Sequence, residues 1–193
     1  MAAPSVWDRQ RAAVRDEITA TAMELFTTQG FESTTIEQIV EIVGVSRRSF
    51  FRYFGTKEDV VLGDLAGRGA AIAEALAARP IGEGPWAAMR AALISVRDAT
   101  DPRGEADLKV GRMLWDTPSL RARHLEKRLG WQGLLVPLIA ARMPDEARPE
   151  LAALAIVSSA LACLDAASTA WLATNGTEDL ADLYDAAVAS VRA

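Results

Sequence analysis

One cysteine and one histidine in 193 residues exclude an internal disulfide framework and leave too few ligands for a zinc site. No metal and no cofactor is therefore expected. The chain also lacks a Gly-rich phosphate loop, a serine-nucleophile motif and any paired His or Cys cluster. An enzyme with a helical-bundle active site would have to rest on Cys163 and His124, and a thiol in an apolar helix is normally inert. Strand signals are nearly absent, because β-branched runs such as Ile39-Val40 and Ile42-Val43 sit inside helical periodicity. The N-terminal MAAPSVWDRQR has no apolar core of the kind a secretory signal needs. The longest hydrophobic stretch, Leu151 to Thr174, is Ala-rich and uncharged only as far as Leu164, short of the about 20 residues a bilayer span requires. The expectation is a soluble, cytoplasmic protein with no membrane partner.

A basic excess is missing too: 21 Lys and Arg face 26 Asp and Glu, for a net charge of −5. Any affinity for nucleic acid must then come from a local patch. What is present is ordinary globular composition, 50% hydrophobic and 24% charged. That rules out disorder and low-complexity architecture, and the length suits one domain or a small one joined to a larger.

The periodicity predicts an all-α chain. A first helix starts after Ser5 with Asp8 as a capping-box partner, buries Val14, Ile18, Ala22, Leu25 and Phe26, and stops at Gly30. A second, capped by Thr35 with Gln38 in the reciprocal position, buries Ile36, Ile39, Val40 and Val43 and ends at Gly44. Ser46 caps a third, with Phe50 and Phe54 on its apolar side, and Thr56 caps a fourth beginning near Lys57. Two short helices around a tight glycine turn form a helix-turn-helix. Beyond the Pro80–Pro85 break, longer helices are expected near 85–100, 105–116, 119–142, 147–174 and 178–192. Their breaks fall at Asp101-Pro102-Arg103-Gly104, Thr117-Pro118, Met143-Pro144-Asp145 and Asn175-Gly176. The domain division is 1–56 for the helix-turn-helix and 57–193 for a larger helical ligand-binding and dimerisation domain.

Arg47, Arg48, Arg52 and Lys57 form a basic run with no acid until Glu58, and Arg9, Arg11 and Arg15 could extend it. A recognition helix offers its N-terminal residues to base edges, which here are Arg47, Arg48 and Ser49. Phe51, one turn on, could pack on a thymine methyl. Arg52, Tyr53, Lys57 and the Thr35 hydroxyl would hold phosphates, fixing register without reading sequence. Charge and spacing alone equally allow a solvated surface helix, and Thr35 taken alone reads as a cap.

The stretch GFESTTIEQIVEIVGVSRRSFFRYFGTKEDVV, Gly30 to Val61, resembles the DNA-binding segment of TetR-family transcriptional regulators. It has a Gly-Phe after helix one, a Thr-rich start to helix two, Gly-Val-Ser before the recognition helix and an aromatic cluster followed by Lys-Glu. The resemblance implies DNA contacts at Thr35, Arg47, Arg48, Ser49, Tyr53 and Lys57. Phe51 departs from the pattern, standing where many members carry a tyrosine whose hydroxyl meets a phosphate. Phe-Phe-Arg-Tyr-Phe is similar to a subgroup, that of the mycofactocin-system regulator, whose C-terminal domain is described as binding acyl-CoA-like ligands. Thr117 to Arg123 and the Trp171-Leu172-Ala173 region are similar to it less specifically.

A sensor domain needs an apolar cavity with a few polar anchors. Trp86, Met89, Met113, Trp115, Trp131 and Trp171 are the candidate walls, with Met143 adding adaptable surface, although aromatics at helical spacing also serve as core filler. Asp165 interrupts an apolar helix and should be paired, wet or near the surface. A ligand anchor, an intersubunit hydrogen bond and simple exposure all fit it. His124, among Arg121, Arg123, Lys127 and Arg128, is expected in solvent, and that basic segment could meet the phosphates of an acyl-CoA. The last two helices carry excess apolar surface, with Ala152, Ala153, Ala155, Ala160 and Ala167 permitting close approach. The resemblance implies a homodimer through them, recognition helices about 34–36 Å apart on a palindromic operator, and release by a small apolar ligand acting through helix four, of repressor type. The competing reading is a DNA-binding regulator that senses no small molecule and answers to a protein partner.

Overall fold

Capping chemistry starts and stops the N-terminal helices. The computed structural model describes residues 5–63, 65–100 and 105–193; the Asp8 side chain and the break expected at 101–104 lie outside the described residues. Helix α1 (Val6–Gln29) buries Ile18, Ala22 and Phe26 and ends at Gly30, φ 93°. Thr35 and Gln38 close the full capping box of α2 (Ile36–Val43), and Gly44, φ 74°, ends it in the left-handed region that favours glycine. Ser46 accepts from the Ser49 amide to start α3 (Arg47–Tyr53). Phe50 is fully buried beneath it, and Phe54, its C-cap, packs 5.6 Å from Phe50.

The fourth helix departs from expectation. The sequence reads as one helix from Lys57, but the structure has two, α4 (Glu58–Leu62) and α5 (Leu65–Ala77). Gly63, at φ 58° and ψ −145°, separates them in a region only glycine enters without strain. Thr56 and Asp59 exchange reciprocal hydrogen bonds ahead of α4, the Thr56 amide to Asp59 Oδ2 at 3.0 Å and the Asp59 amide to Thr56 Oγ1 at 3.2 Å.

The C-terminal helices are α6 (Pro85–Thr100), α7 (Glu105–Asp116), α8 (Pro118–Ala140), α9 (Pro149–Ala173) and α10 (Leu180–Arg192). Proline opens α6, α8 and α9, where its missing N–H costs nothing. Helix α8 is central, packing on α4, α5, α7 and α9, with Leu120, Trp131, Leu135 and Ile139 buried. Helix α9 is long and apolar enough to cross a membrane by composition, but it packs against α6, α7, α8 and α10. Ala153, Ala160 and Ala167 turn inward on it, so these small residues serve packing within the chain. Leu151, Leu154, Ala155, Ala162 and Ala166 form its exposed stripe. Arg142 reaches back from beyond α8 to the carbonyls of Leu76, Arg79 and Pro80, closing the C-terminal end of α5.

Close approach of α5 to α8 rests on Gly69, where an added Cβ would meet Trp131 Cδ1 at 2.3 Å. Gly→Ala inside a helix ordinarily stabilises. Here the methyl has to displace a buried indole, and Gly69→Ala should lower stability by about 1–3 kcal/mol, read as a shift in urea midpoint with unchanged slope.

Candidate nucleic-acid interface and apolar cavity

With Phe50 and Phe54 directed inward, α3 turns its other side to solvent. Arg47 and Arg48 are exposed there, and the Phe51 ring is 44% exposed, edge-on to Phe50 at 5.6 Å. The basic run is less isolated than its sequence suggests. Arg47 forms an ion pair with Glu37 of α2 at 2.7 Å and lies over the Phe51 ring. Both partners are well exposed, so the pair is weak and can exchange for a base edge. Arg52 stacks on Tyr53 and donates to its hydroxyl at 3.4 Å. Ser49 and Thr35 are engaged locally: the Ser49 hydroxyl bonds that of Ser46, and Thr35 Oγ1 accepts from the Gln38 amide.

Lys57 sits differently from the phosphate role read from the sequence. Its ammonium donates to the carbonyls of Phe31 at 2.7 Å and Thr34 at 2.9 Å and lies 4.2 Å from the centre of the Phe31 ring. The side chain ties the start of α4 to the α1–α2 loop, and two of its three donors are used in doing so. Loss of both bonds leaves loop carbonyls without their partner. Lys57→Met should therefore destabilise the chain by about 1–3 kcal/mol in chemical denaturation, in addition to any effect on DNA.

A cavity of about 310 Å³ opens behind α4, walled by Leu62 and Ile72, by Leu93 and Val96, and by Leu114, Trp115, Trp131, Leu164, Trp171 and Leu172. Of the proposed ligand contacts, Trp115, Trp131, Asp165 and Trp171 line it; Trp86, Met89 and Met113 do not. Met89 is fully buried within the α6 packing, Met113 packs partly buried against the core, and Trp86 lies under the Arg192 guanidinium 5.7 Å away. Arg68, Arg97 and Ser168 add polar groups to the lining.

Asp165 finds its partner within the chain, where Arg128 Nη1 donates to its Oδ1 and Nη2 to the Leu161 carbonyl at 2.7 Å. Arg128 is 6% exposed, and burial lowers its pKa against the opposing pull of Asp165. His124, expected in solvent, is instead largely buried, lines the cavity, stands 3.8 Å from Asp165 and meets Trp115 edge-on. The surrounding cations have partners within the chain, although Arg121 stays at the surface. Arg121 donates to the Trp115 carbonyl, Arg123 pairs with Glu126 and Asp59, and Lys127 pairs with Asp59 at 2.7 Å. The basic segment is thus a packed part of the fold and not an open phosphate site. Cys163 is buried, and burial pushes its thiol up.

Sequence reasoning missed Asp59, since its partners lie more than sixty positions away. Burial alone would raise its carboxyl, but hydrogen bonding and charge from Lys127, the Thr56 bond and the Arg123 charge hold it below the ordinary aspartate value. A depressed folded value means stability that is present above the unfolded pKa of about 3.9 and lost as the pH falls through the folded one. The stability gap between the wild type and Asp59→Asn should therefore be widest above about pH 5 and narrow toward acid, in urea titrations at stepped pH.

Comparison with known proteins adds to this geometry. Residues 18–63 match the bacterial regulatory proteins of the tetR family, and residues 83–193 match the MftR C-terminal domain. The chain is 38% identical over 156 residues to the HTH-type transcriptional regulator TcmR of Streptomyces glaucescens, covering 76% of this chain and 69% of that protein. It is 27% identical over 134 residues to MftR, a mycofactocin biosynthesis regulator of Mycobacterium tuberculosis, covering 69% and 68%. Among solved structures, NalD, the secondary repressor of the MexAB-OprM efflux pump in Pseudomonas aeruginosa, shares the fold with a TM-score of 0.59 at 18% identity over 94% of this chain and 95% of its own. FadR of Thermus thermophilus, solved with lauroyl-CoA, does so at 0.52 and 24% over 90% and 91%. An exposed basic helix on a capped helix-turn-helix, a helical body and two matching family regions lead to one conclusion: this chain is a transcriptional regulator of the TetR family, with a C-terminal domain of the MftR type.

Proposed function

We propose that the chain works as a homodimeric repressor in the cytoplasm, binding a palindromic operator through residues 1–56 and released when a small apolar ligand enters the domain formed by 57–193. The observation that carries this reading is α3, which buries Phe50 and Phe54 while presenting Arg47, Arg48 and Phe51 to solvent. Arg47 and Arg48 would read guanine edges, and Phe51 a thymine methyl. Arg52, Tyr53, Ser49 and the Thr35 rim would set the register on phosphates. The exposed stripe of α9, with Val191 on α10, supports pairing of two copies along the last two helices, which is usual in this family.

The apolar walls and three indoles of the 310 Å³ cavity support a ligand with a substantial apolar body. The acyl-CoA reading draws on the lauroyl-CoA complex of Thermus thermophilus FadR. With Arg121, Arg123, Lys127 and Arg128 already partnered, the thioester's phosphates would lie toward Arg68, which also lines the cavity.

Fluorescence anisotropy on duplex DNA from upstream of the protein's own reading frame, at two salt concentrations and with or without lauroyl-CoA, tests these statements. Tight binding that weakens steeply with salt and is lost with the thioester is the expected result. Tight binding indifferent to lauroyl-CoA overturns the ligand class, and equal affinity for scrambled DNA overturns operator recognition. Arg48→Ala should cost about 1–3 kcal/mol on the preferred site and relax preference at one base pair per half-site, while leaving scrambled DNA far less affected.

A further inference from the structure

The segment from Thr56 to Asp59 carries two adjacent connections pointing opposite ways. Lys57 reaches forward to the Phe31 and Thr34 carbonyls of the DNA-binding head. Asp59 reaches back to α8, where Lys127 meets it at 2.7 Å and Arg123 at 3.5 Å. The Asp59 side chain is only 12% exposed and that of Lys127 23%, so solvent screens this cluster less than a surface pair. Asp59 is held from its own side as well, by the Thr56 amide on Oδ2, and a Cβ on Gly55 would stand 2.9 Å from that oxygen. A weaker contact crosses the same gap, Ser119 to Glu32 at 3.5 Å.

Arg123 and Lys127 are four residues apart on α8, and so are His124 and Arg128. The two pairs are offset by one residue, about 100° around the helix. The first pair grips Asp59 of α4, while the second walls the cavity beside Asp165. Gly63 meanwhile breaks the helix between α4 and α5, so movement of α5 is not passed to α4 by a continuous helix. Helix α4 then meets the body in two ways, through Val61 and Leu62 on the cavity wall and through the lateral grip of α8 on Asp59.

We propose that Asp59 is a positioning residue for operator recognition: the Asp59–Lys127–Arg123 cluster fixes the stance of the head relative to the body, and cavity occupancy reaches DNA by moving this cluster. The inference rests on the regulator reading above and assigns the path by which that regulator is controlled. Without the cluster the head still folds and still meets phosphates, but its two copies no longer hold the separation that a paired site demands.

The test uses the full chain on its operator and on a scrambled duplex. Lys127→Met should raise the operator Kd tenfold or more while changing the scrambled duplex by less than twofold, and Lys127→Arg should recover to within threefold of wild type. Asp59→Asn keeps the oxygen that caps α4, and the double variant Asp59→Asn, Lys127→Met should be no weaker than the weaker single. Should Lys127→Met fail to fold, Gly55→Ala, which crowds the same carboxylate, should weaken operator binding about threefold. Ser168→Phe places a tethered ring in the cavity from α9; it should weaken operator binding in the wild type and add nothing in Lys127→Met. Operator affinity unchanged while the melting temperature falls would reduce the cluster to a structural role, and additive effects of Ser168→Phe and Lys127→Met would send the signal by another path. Either result overturns the proposal. A wild type with no preference for its operator is a different failure, that of the regulator reading itself.

Discussion

How closely α8 can approach α5 decides much of the body. Without a Cβ on Gly69, the Trp131 indole lies against α5, and α8 is drawn into the middle of the helices instead of onto their surface. From there one face of α8 meets α9 through Arg128 and Gln132, another meets α4 through Arg123 and Lys127, and Trp131 supplies a wall of the cavity. A similar economy operates where α7 passes α9, since a Cβ at Gly111 would come within 2.8 Å of Leu172. The interior is arranged by what two glycines leave out as much as by the bulk of the aromatics.

Charge in this protein is placed rather than accumulated. A net-acidic chain sets three exposed arginines, Arg47, Arg48 and Arg52, side by side on one short helix and buries Arg128 in the body. Arg47 does not wait unpartnered: Glu37 and the Phe51 ring hold it. The proposed reading of a base by Arg47 would then be an exchange of partners, and the loss of the Glu37 contact would subtract from what the base contact contributes. At the other extreme, Arg128 is desolvated deeply enough that removing Asp165 would leave an uncompensated buried charge.

Local chemistry was legible in the sequence and distant chemistry was not. Thr35 with Gln38, Ser46, Gly30 and Gly44 interact with neighbours a few residues off, so caps, stops and the inward side of α3 follow from spacing alone. Gly63 was present to be read, but a glycine inside an apolar run does not declare whether it interrupts a helix. Its φ and ψ values do. The cavity depends on which tryptophan meets which helix: Trp115 and Trp86 are alike in sequence texture, and tertiary packing puts one in the lining and the other at the end of α10. His124 lay among cations and looked solvated; the partners that bury it, Asp165 and Trp115, stand on three different helices with it. Thr56 could be read ahead of α4 from spacing, whereas the ion pairs of Asp59 to α8 could not.

The glycine joint between α4 and α5 has a consequence at the level of the gene. Every single-base change in a glycine codon that alters the residue adds a Cβ, and at φ 58°, ψ −145° each such residue is strained. A change in the angle between α4 and α5 relieves that strain. A substitution at codon 63 therefore acts on the angle between two helices, although no side chain stands within 4 Å of where its Cβ would be.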